Sequence, residues 1–502
     1  MEKKEKTSYF SIPETVSHVT ETLKKANFKA FLVGGCVRDL ILQRKPKDWD
    51  VTTNAKPEEI IALFPKTFYE NNFGTVGVVD ENVSDETLKV IEITPFRVEG
   101  QYSDFRRPDT VSFSDKLEDD LARRDFTINA LALDVLEKQG EFYKGQIIDL
   151  YKGQEDLQAK TLKTVGKPED RFSEDALRML RAVRFASELD FTIDPDTERA
   201  ISVNAHLLKK ISKERIRDEF TKLILSPNPM KGLMLCRKLS LIRYIVPELE
   251  ESYGVEQNQA HSYDVWEHLL HSVQCSADKN FPLDIRLAAL FHDISKPKAR
   301  RWGEEQKQWT FYGHEVVGSR ETKRILTDLR FPVKLIEKVV KLVRWHMFFS
   351  DTEQISLSAV RRMVVNVGKE NIWDLMNVRI CDRIGTGRPK EDPYRLRKYH
   401  AMIDEAMRDP ISVGMLKIDG KGIMDVTHET PGPKIGFVLH ALLQLVLDDP
   451  TKNTETFLVK QAIELIKLPV EELKKLGEEG KDKREQVEDE EVKKLRSRHR
   501  VR

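Results

Sequence analysis

Strand-like patterning stops near residue 155 of this 502-residue chain. Before that point short apolar runs alternate with helical periodicity. Residues 16–25 read as a helix, 28–33 as a strand and 37–43 as a helix, with further strands at 49–52, 75–79 and 88–94. The stretch 80–86, rich in Asp, Glu, Asn and Ser, reads as a hairpin turn. Beyond 155, residues 173–189, 212–225, 264–278, 284–293, 314–327, 333–345 and 435–448 all carry the helical period. Such a division allows a small α/β head followed by a long all-helical body. Residues 1–10 are polar and are expected to be loose. From Glu471 the chain is dense in Glu, Lys and Arg and is expected to be a solvated, flexible tail, helical at most in part.

Length and composition narrow the class. The chain is long enough for two to four domains, and its 40% hydrophobic and 33% charged residues are those of an ordinary globular protein. No N-terminal stretch resembles a signal peptide, and the apolar run 435–447 is too short and too interrupted to span a bilayer. Four scattered cysteines without a CxxC pair argue against a zinc ribbon or a disulfide scaffold and fit a reducing cytoplasm. Lys plus Arg and Asp plus Glu are 83 each. A nucleic-acid partner must therefore be held by a local basic face rather than by bulk charge.

The segment Leu32-Val33-Gly34-Gly35-Cys36-Val37-Arg38-Asp39 runs strand, turn, helix. Two glycines let the backbone pass close to a ligand, and the helix start offers N–H groups to a phosphate. Arg38 is placed to face the same phosphates. In Lys47-Asp48-Trp49-Asp50, a strand would point Asp48 and Asp50 to one face. Paired carboxylates repel unless a cation lies between them. Glu92, within Val90-Ile91-Glu92-Ile93-Thr94, offers a third carboxylate, although its face could equally be the solvent face.

GG-x-V-R-D followed by D-W-D resembles the nucleotidyltransferase superfamily related to polymerase beta. Later segments narrow the likeness: Leu121-Ala122-Arg123-Arg124-Asp125-Phe126-Thr127-Ile128-Asn129-Ala130, then Ile148-Asp149-Leu150-Tyr151-Lys152-Gly153, then Ser173-Glu174-Asp175-Ala176-Leu177-Arg178-Met179-Leu180-Arg181. In this order they resemble the bacterial class II tRNA nucleotidyltransferases, the CCA-adding enzymes and their poly(A) polymerase relatives. The likeness covers residues 28–225 and weakens toward 465. It implies an α+β fold with a polymerase-beta-like head, an all-α neck, a helical body and a C-terminal helical region. It also implies template-independent transfer of C and A nucleotides from CTP and ATP to the 3′ end of tRNA. Asp48 and Asp50, with Glu92 as a third candidate, would hold two Mg2+ ions. Gly35, Arg38, Arg124 and Asp125 would contact the nucleotide's triphosphate and ribose. Asp175 and Arg178 would read the base, with Arg181 and Arg184 in support. Glu214, Arg215 and Glu219 would brace a helix turn. Residues 98–108 resemble the flexible loop of enzymes that add the terminal A.

Hydrogen-bond inventory agrees with that base reading. Cytosine and adenine each present an amino donor beside a ring-nitrogen acceptor, and uracil and guanine present the reverse. A carboxylate only accepts and a guanidinium only donates. Asp175 with Arg178 therefore matches C and A and leaves unpaired groups against U and G. A three-residue spacing puts both on one helix face, with Ser173 as its cap and Arg181 and Arg184 continuing the row.

Farther along, His268, His292-Asp293, His314, His346 and Asp382 form an H…HD…H…H…D series that resembles the HD phosphohydrolase superfamily. Imidazole with carboxylate suits a divalent transition metal or Mg2+, and Lys296 lies close behind the HD pair. The expected division is a catalytic head at 11–154, a neck at 155–225, an HD body at 226–400, a tRNA-binding helical region at 401–470 and a tail at 471–502. The rivals are a poly(A) polymerase, an enzyme adding only A, and an HD phosphohydrolase whose head binds nucleotide or RNA. Oligomeric state is not legible in the sequence.

Overall fold

The computed structural model describes residues 7–69, 74–100, 111–257, 262–305, 307–347, 355–387, 393–408 and 412–499. Among the described residues the head holds ten strands. They are β1 (Thr7–Phe10), β2 (Ala30–Val33), β3 (Asp50–Thr53), β4 (Thr67–Tyr69), β5 (Val76–Val79), β6 (Val90–Pro95), β7 (Arg97–Glu99), β8 (Val111–Phe113), β9 (Leu131–Gln139) and β10 (Phe142–Asp149). Eight form one sheet in the order β1-β10-β9-β2-β3-β6-β5-β4, and β7 pairs with β8 separately. Within the large sheet β3 and β6 run parallel, and the other pairs are antiparallel. β2 feeds the helix α2 (Gly35–Ile41) through Gly34, whose φ of +77° suits glycine. The head's helices bury one face each: α1 (Glu14–Lys25) turns Val16, Val19 and Leu23 inward, at helical spacing.

Some expectations are corrected. Residues 7–10 are not loose but form an edge strand along β10, anchored by the buried Phe10. The hairpin of β9 and β10 escaped the sequence reading, because its polar outer half (Glu137, Lys138, Gln139, Glu141) masks the alternation. Strands do not end at 155: Thr161–Leu162 pairs in parallel with Thr192–Ile193, and Arg301–Gly303 pairs with Gln308–Thr310. The segment 173–189 is two helices, Pro168–Glu174 and Leu177–Leu189. The break falls at Asp175, which is extended (φ −139°, ψ 103°) and accepts the Leu177 N–H on its carboxylate. A short acceptor side chain has here outcompeted the helix for a backbone donor. Ser173 is consequently not a cap, and its hydroxyl donates to the Asp170 carbonyl instead.

The chain divides into two compact units, residues 1–346 with 377–388, and residues 347–376 with 389–502. Residues 355–376 and 393–400, expected in the HD body, thus pack with the C-terminal unit. In that unit the expected tail is a 29-residue helix, Val470–Arg498, lying against the helix Pro433–Asp448. Leu473 is buried there with Leu442, Leu443 and Leu458. Two glycines set the approach. A Cβ on Gly477 would lie 2.9 Å from the Phe437 Cα, and one on Gly480 would overlap the His440 carbonyl. The seam is therefore encoded by small residues, which a charge-dense sequence conceals. Gly480→Val is expected to lower the thermal midpoint of this unit and expose 470–498 to protease. Gly436→Ala, where a Cβ meets nothing within 4 Å, is expected to be neutral or to stabilise by about 0.5 kcal/mol. Thermal unfolding with limited proteolysis of both variants checks the contrast.

Candidate active site and metal centre

A cleft of about 470 Å3 opens at the β2–α2 turn. Gly35, Arg38, Asp48, Asp50, Arg124, Asp125, Arg181 and Arg184 all line it. Trp49 explains how the D-W-D segment is set. Its side chain is buried at 3% exposure while Asp48 is exposed and Asp50 half-buried, so one anchor fixes two carboxylates. The glycine turn passes directly beneath them. A Cβ on Gly34 would come within 2.8 Å of Arg124 Nη1 and 3.4 Å of Asp50 Oδ2, and one on Gly35 within 3.8 Å of Asp48 Oδ1. Beneath the turn Cys36 is buried. Burial first, then Asp50 and Asp48, push its thiol up to about 12. Glu92 stands beside Asp50 in the parallel register of β3 and β6, but it does not line the cleft.

The cations of this cleft are tied to acids. Arg38 donates to both carboxylate oxygens of Asp39 (2.9 and 3.0 Å) and to Asn129 Oδ1 (2.8 Å). Arg124 reaches the buried Asp120 at 3.1 Å. Arg181 donates to Asp125 at 2.7 and 2.9 Å. Arg184 bonds Glu219 at 2.7 Å and Glu188 at 2.8 Å, and lies over the Phe185 ring. Lys47 and Lys222 add two more cations to the lining, themselves paired with Glu188 and Glu219. Glu188, Asn129 and Phe185 were not singled out in the sequence. The four-residue spacing Arg184–Glu188 is the signal that could have found Glu188.

Asp175 and Arg178 lie apart from the cleft lining and connect to it through the Arg123–Arg124 segment, since Arg178 Nη2 donates to the Arg123 carbonyl at 3.1 Å. The two flank the start of the Leu177–Leu189 helix rather than sharing one helix face. Residues 101–110, most of the expected flexible loop, lie outside the described residues.

All six members of the HD series meet. Asp293 Oδ2 lies 3.1 Å from His268 Nε2 and 3.2 Å from His292 Nε2, and both histidines also face Asp382 Oδ1, at 3.4 and 3.6 Å. The other oxygen, Asp293 Oδ1, lies 3.0 Å from His314 Nε2 and 3.5 Å from His346 Nε2. Two candidate ion positions thus share one bridging carboxylate. The imidazole tautomers follow from the backbone. His292, His314 and His346 each set Nδ1 at 2.6–2.9 Å from the carbonyl three residues earlier. A carbonyl only accepts, so Nδ1 carries the proton and Nε2 presents a lone pair to the centre. Three bare nitrogens and two buried carboxylates then face one another, with Asp293 Oδ1 lacking any hydrogen-bond donor. Such an all-acceptor cluster needs cations, and its donors fit divalent metals. Without them, burial would lower His292, but Asp293 and Asp382 outweigh it and raise it to about 10. Lys296 completes the centre, with Nζ 2.6 Å from both Asp293 Oδ2 and Gln257 Oε1.

One helix joins the two sites. From Leu283–Phe291, which ends at the His292-Asp293 pair, Arg286 Nη1 donates to the carbonyls of Ile224 (2.9 Å) and Ser226 (3.0 Å). Ser226 and its neighbours Leu225 and Pro227 form a wall of the cleft.

The sequence matches the Poly A polymerase head domain over residues 30–163, the Probable RNA and SrmB- binding site of polymerase A over 190–253, and the HD domain over 259–384. It is 33% identical over 458 residues to a CCA-adding enzyme of Limosilactobacillus reuteri, covering 91% of this chain and 98% of that one. The chain belongs to the family of CCA-adding enzymes. Against the family's Lactobacillus helveticus member, identity is 49% over 218 residues, 43% of this chain and about half (51%) of that one. The fold is similar to the crystal structure of the Bacillus stearothermophilus CCA-adding enzyme in complex with CTP, with a TM-score of 0.58 at 28% identity over 90% of this chain and 98% of that one.

The Asp125–Arg181 pair makes a pH-dependent prediction. Burial alone would raise Asp125, but Arg181, Asn129 and then Arg178 outweigh it and bring the carboxyl from 3.8 down to about 2. A depressed carboxyl stabilises fully above its unfolded pKa and loses that contribution as pH falls through the folded one. Asp125→Asn is expected to cost about 2 kcal/mol at pH 7. The gap from wild type should be constant above pH 5 and narrow between about pH 4 and pH 2, as read by denaturant unfolding across that range.

Proposed function

We propose that this chain adds C and A nucleotides, without a template, to the 3′ end of tRNA, using CTP and ATP. The observation that carries the reading is the cleft itself. Two carboxylates, a glycine turn and a ring of tethered arginines converge there, in a chain similar over nearly its whole length to CCA-adding enzymes. Asp48 and Asp50 are hard oxygen donors in an arginine-lined cleft and fit Mg2+. Bound there, such ions supply charge neutralisation for the attacking hydroxyl and the departing pyrophosphate. The chain's own residues do the positioning. The Gly34-Gly35 turn and the start of α2 present N–H groups to the phosphates, and Arg38 and Arg124 hold the triphosphate. Asp125 keeps Arg181 in place, and Arg184 supports the same wall. Asp175 and Arg178 select C and A. Because the arginines are held by acids before substrate arrives, little reorganisation is left for the reacting complex.

The test is extension of a tRNA transcript lacking CCA, with Mg2+ and CTP and ATP supplied singly and together, read at single-nucleotide resolution. Three added residues and then a stop are expected, with at least a hundredfold loss in Asp48→Ala and in Asp50→Ala. A long tail from ATP alone would replace the reading with poly(A) polymerase. A single A added only after CC would make it an A-adding enzyme.

The tautomer pattern around Asp293 favours a second activity. The HD centre would hold two divalent ions, one at His268, His292, Asp293 and Asp382 and one at Asp293, His314 and His346, and would hydrolyse a phosphoester near Lys296. Elemental analysis of chelator-stripped, Mn2+-reloaded protein in the Asp48→Ala/Asp50→Ala background is expected to give two ions per chain. Removing His314 and His346 together should leave one, and Asp293→Ala none. A wild-type centre that retains no Mn2+ would end this reading.

Among the described residues no helix is long and apolar enough to cross a membrane. All four cysteines are buried thiols outside any disulfide. Buried thiols of this kind support a place in the reducing cytoplasm.

A further inference from the structure

We propose that Arg215 is a positioning residue that sets base selection by fixing the Asp175 carboxylate. The inference rests on the reading of Asp175 as a base-contacting group. Arg215 stands on the helix Lys213–Leu225, four residues before Glu219, so the two share a face. Glu219 takes Arg184, and Arg215 takes Asp175, with Nη1 at 3.2 Å from Oδ1 and Nη2 at 2.6 Å from Oδ2. The fork is bidentate, which defines the plane of the carboxylate as well as its place.

Counting acceptors shows what this leaves. A carboxylate offers about four lone-pair directions. Oδ1 receives the Leu177 N–H at 3.0 Å and Arg215 Nη1, and Oδ2 receives Arg215 Nη2. One direction remains, on Oδ2, for a single donor. The partner is preset in the same way. Arg178 commits three of its N–H groups, to the Arg171 carbonyl (3.3 Å), the Glu174 carboxylate and the Arg123 carbonyl (3.1 Å). Of its five donors two remain. One acceptor on Asp175 and two donors on Arg178 are the complement of an amino group and a ring nitrogen, which cytosine and adenine share.

Orientation decides the discrimination. A carboxylate free to rotate could turn its lone pair from the carbonyl oxygen of uracil or guanine and let water fill the gap. Clamped by Arg215 and the Leu177 N–H, it cannot, so a mismatched base leaves both oxygens facing each other unpaired. Lysine at this position would keep the charge but not the two-point grip.

The experiment compares kcat/KM for CTP and UTP on a tRNA transcript ending before its CCA, in wild type, Arg215→Ala, Arg215→Lys and Asp175→Asn. The CTP-over-UTP preference is expected to fall about tenfold or more in Arg215→Ala. In Arg215→Lys, which retains the fold, it should fall about threefold or more. A role confined to bracing the helix would lower both substrates together and leave the ratio at the wild-type value, and that result in both Arg215 variants overturns the inference. If Arg215→Ala does not fold, the ratio in Arg215→Lys decides alone. Asp175→Asn separates the two levels. Loss of preference there with none in the Arg215 variants sinks the inference and keeps the base reader. Unchanged preference in Asp175→Asn removes the base reader and the inference with it.

Discussion

A charge taken out of water must meet its complement, and the region between sheet and helical body is built on that requirement. The helix Leu177–Leu189 carries arginines at 178, 181 and 184, and each is held by an acid from outside it: Glu174, Asp125 and Glu219, with Glu188 of the same helix also on Arg184. Asp175 is held in turn by Arg215. An unpaired partner in such a lattice is costly, so the pairs specify one arrangement of the helices at the cleft. They also join the strand-bearing half of the head, through Asp125, to the helix Lys213–Leu225, through Glu219.

The legibility of this molecule in its sequence follows from the range of its interactions. The turn at Gly34, the D-W-D carboxylates and the amphipathic helices are local patterns, and their positions agree with the sequence reading to within a few residues. The hexad of the HD centre was found because a series of histidines and aspartates is chemically distinctive even when its members lie far apart in the chain. What escaped depends on partners that spacing does not announce. β1 exists because β10 is there to pair with it. The Asp175 break arises from one side-chain acceptor. The Val470–Arg498 helix is held by Gly477 and Gly480 against a neighbour some forty residues earlier. The Arg215–Asp175 contact spans forty residues of chain, and nothing local to Arg215 names that partner.

The two candidate metal sites differ in chemistry. At the cleft the donors are carboxylate oxygens, partly open to solvent, beside arginines held by acids. At the HD centre imidazoles dominate, the surroundings are buried, and three of the four tautomers are set by a carbonyl of the same chain segment. The first environment favours a hard, exchangeable ion. The second favours ions that stay.

Arg286 gives the HD body a part in the head's architecture. Its guanidinium holds the carbonyls at the end of the Lys213–Leu225 helix, beside the residues that wall the cleft. The body is therefore not a detachable module. Any descendant of this chain that shed it would expose two backbone acceptors and free one side of the cleft, and would have to rebuild that wall with residues of another origin.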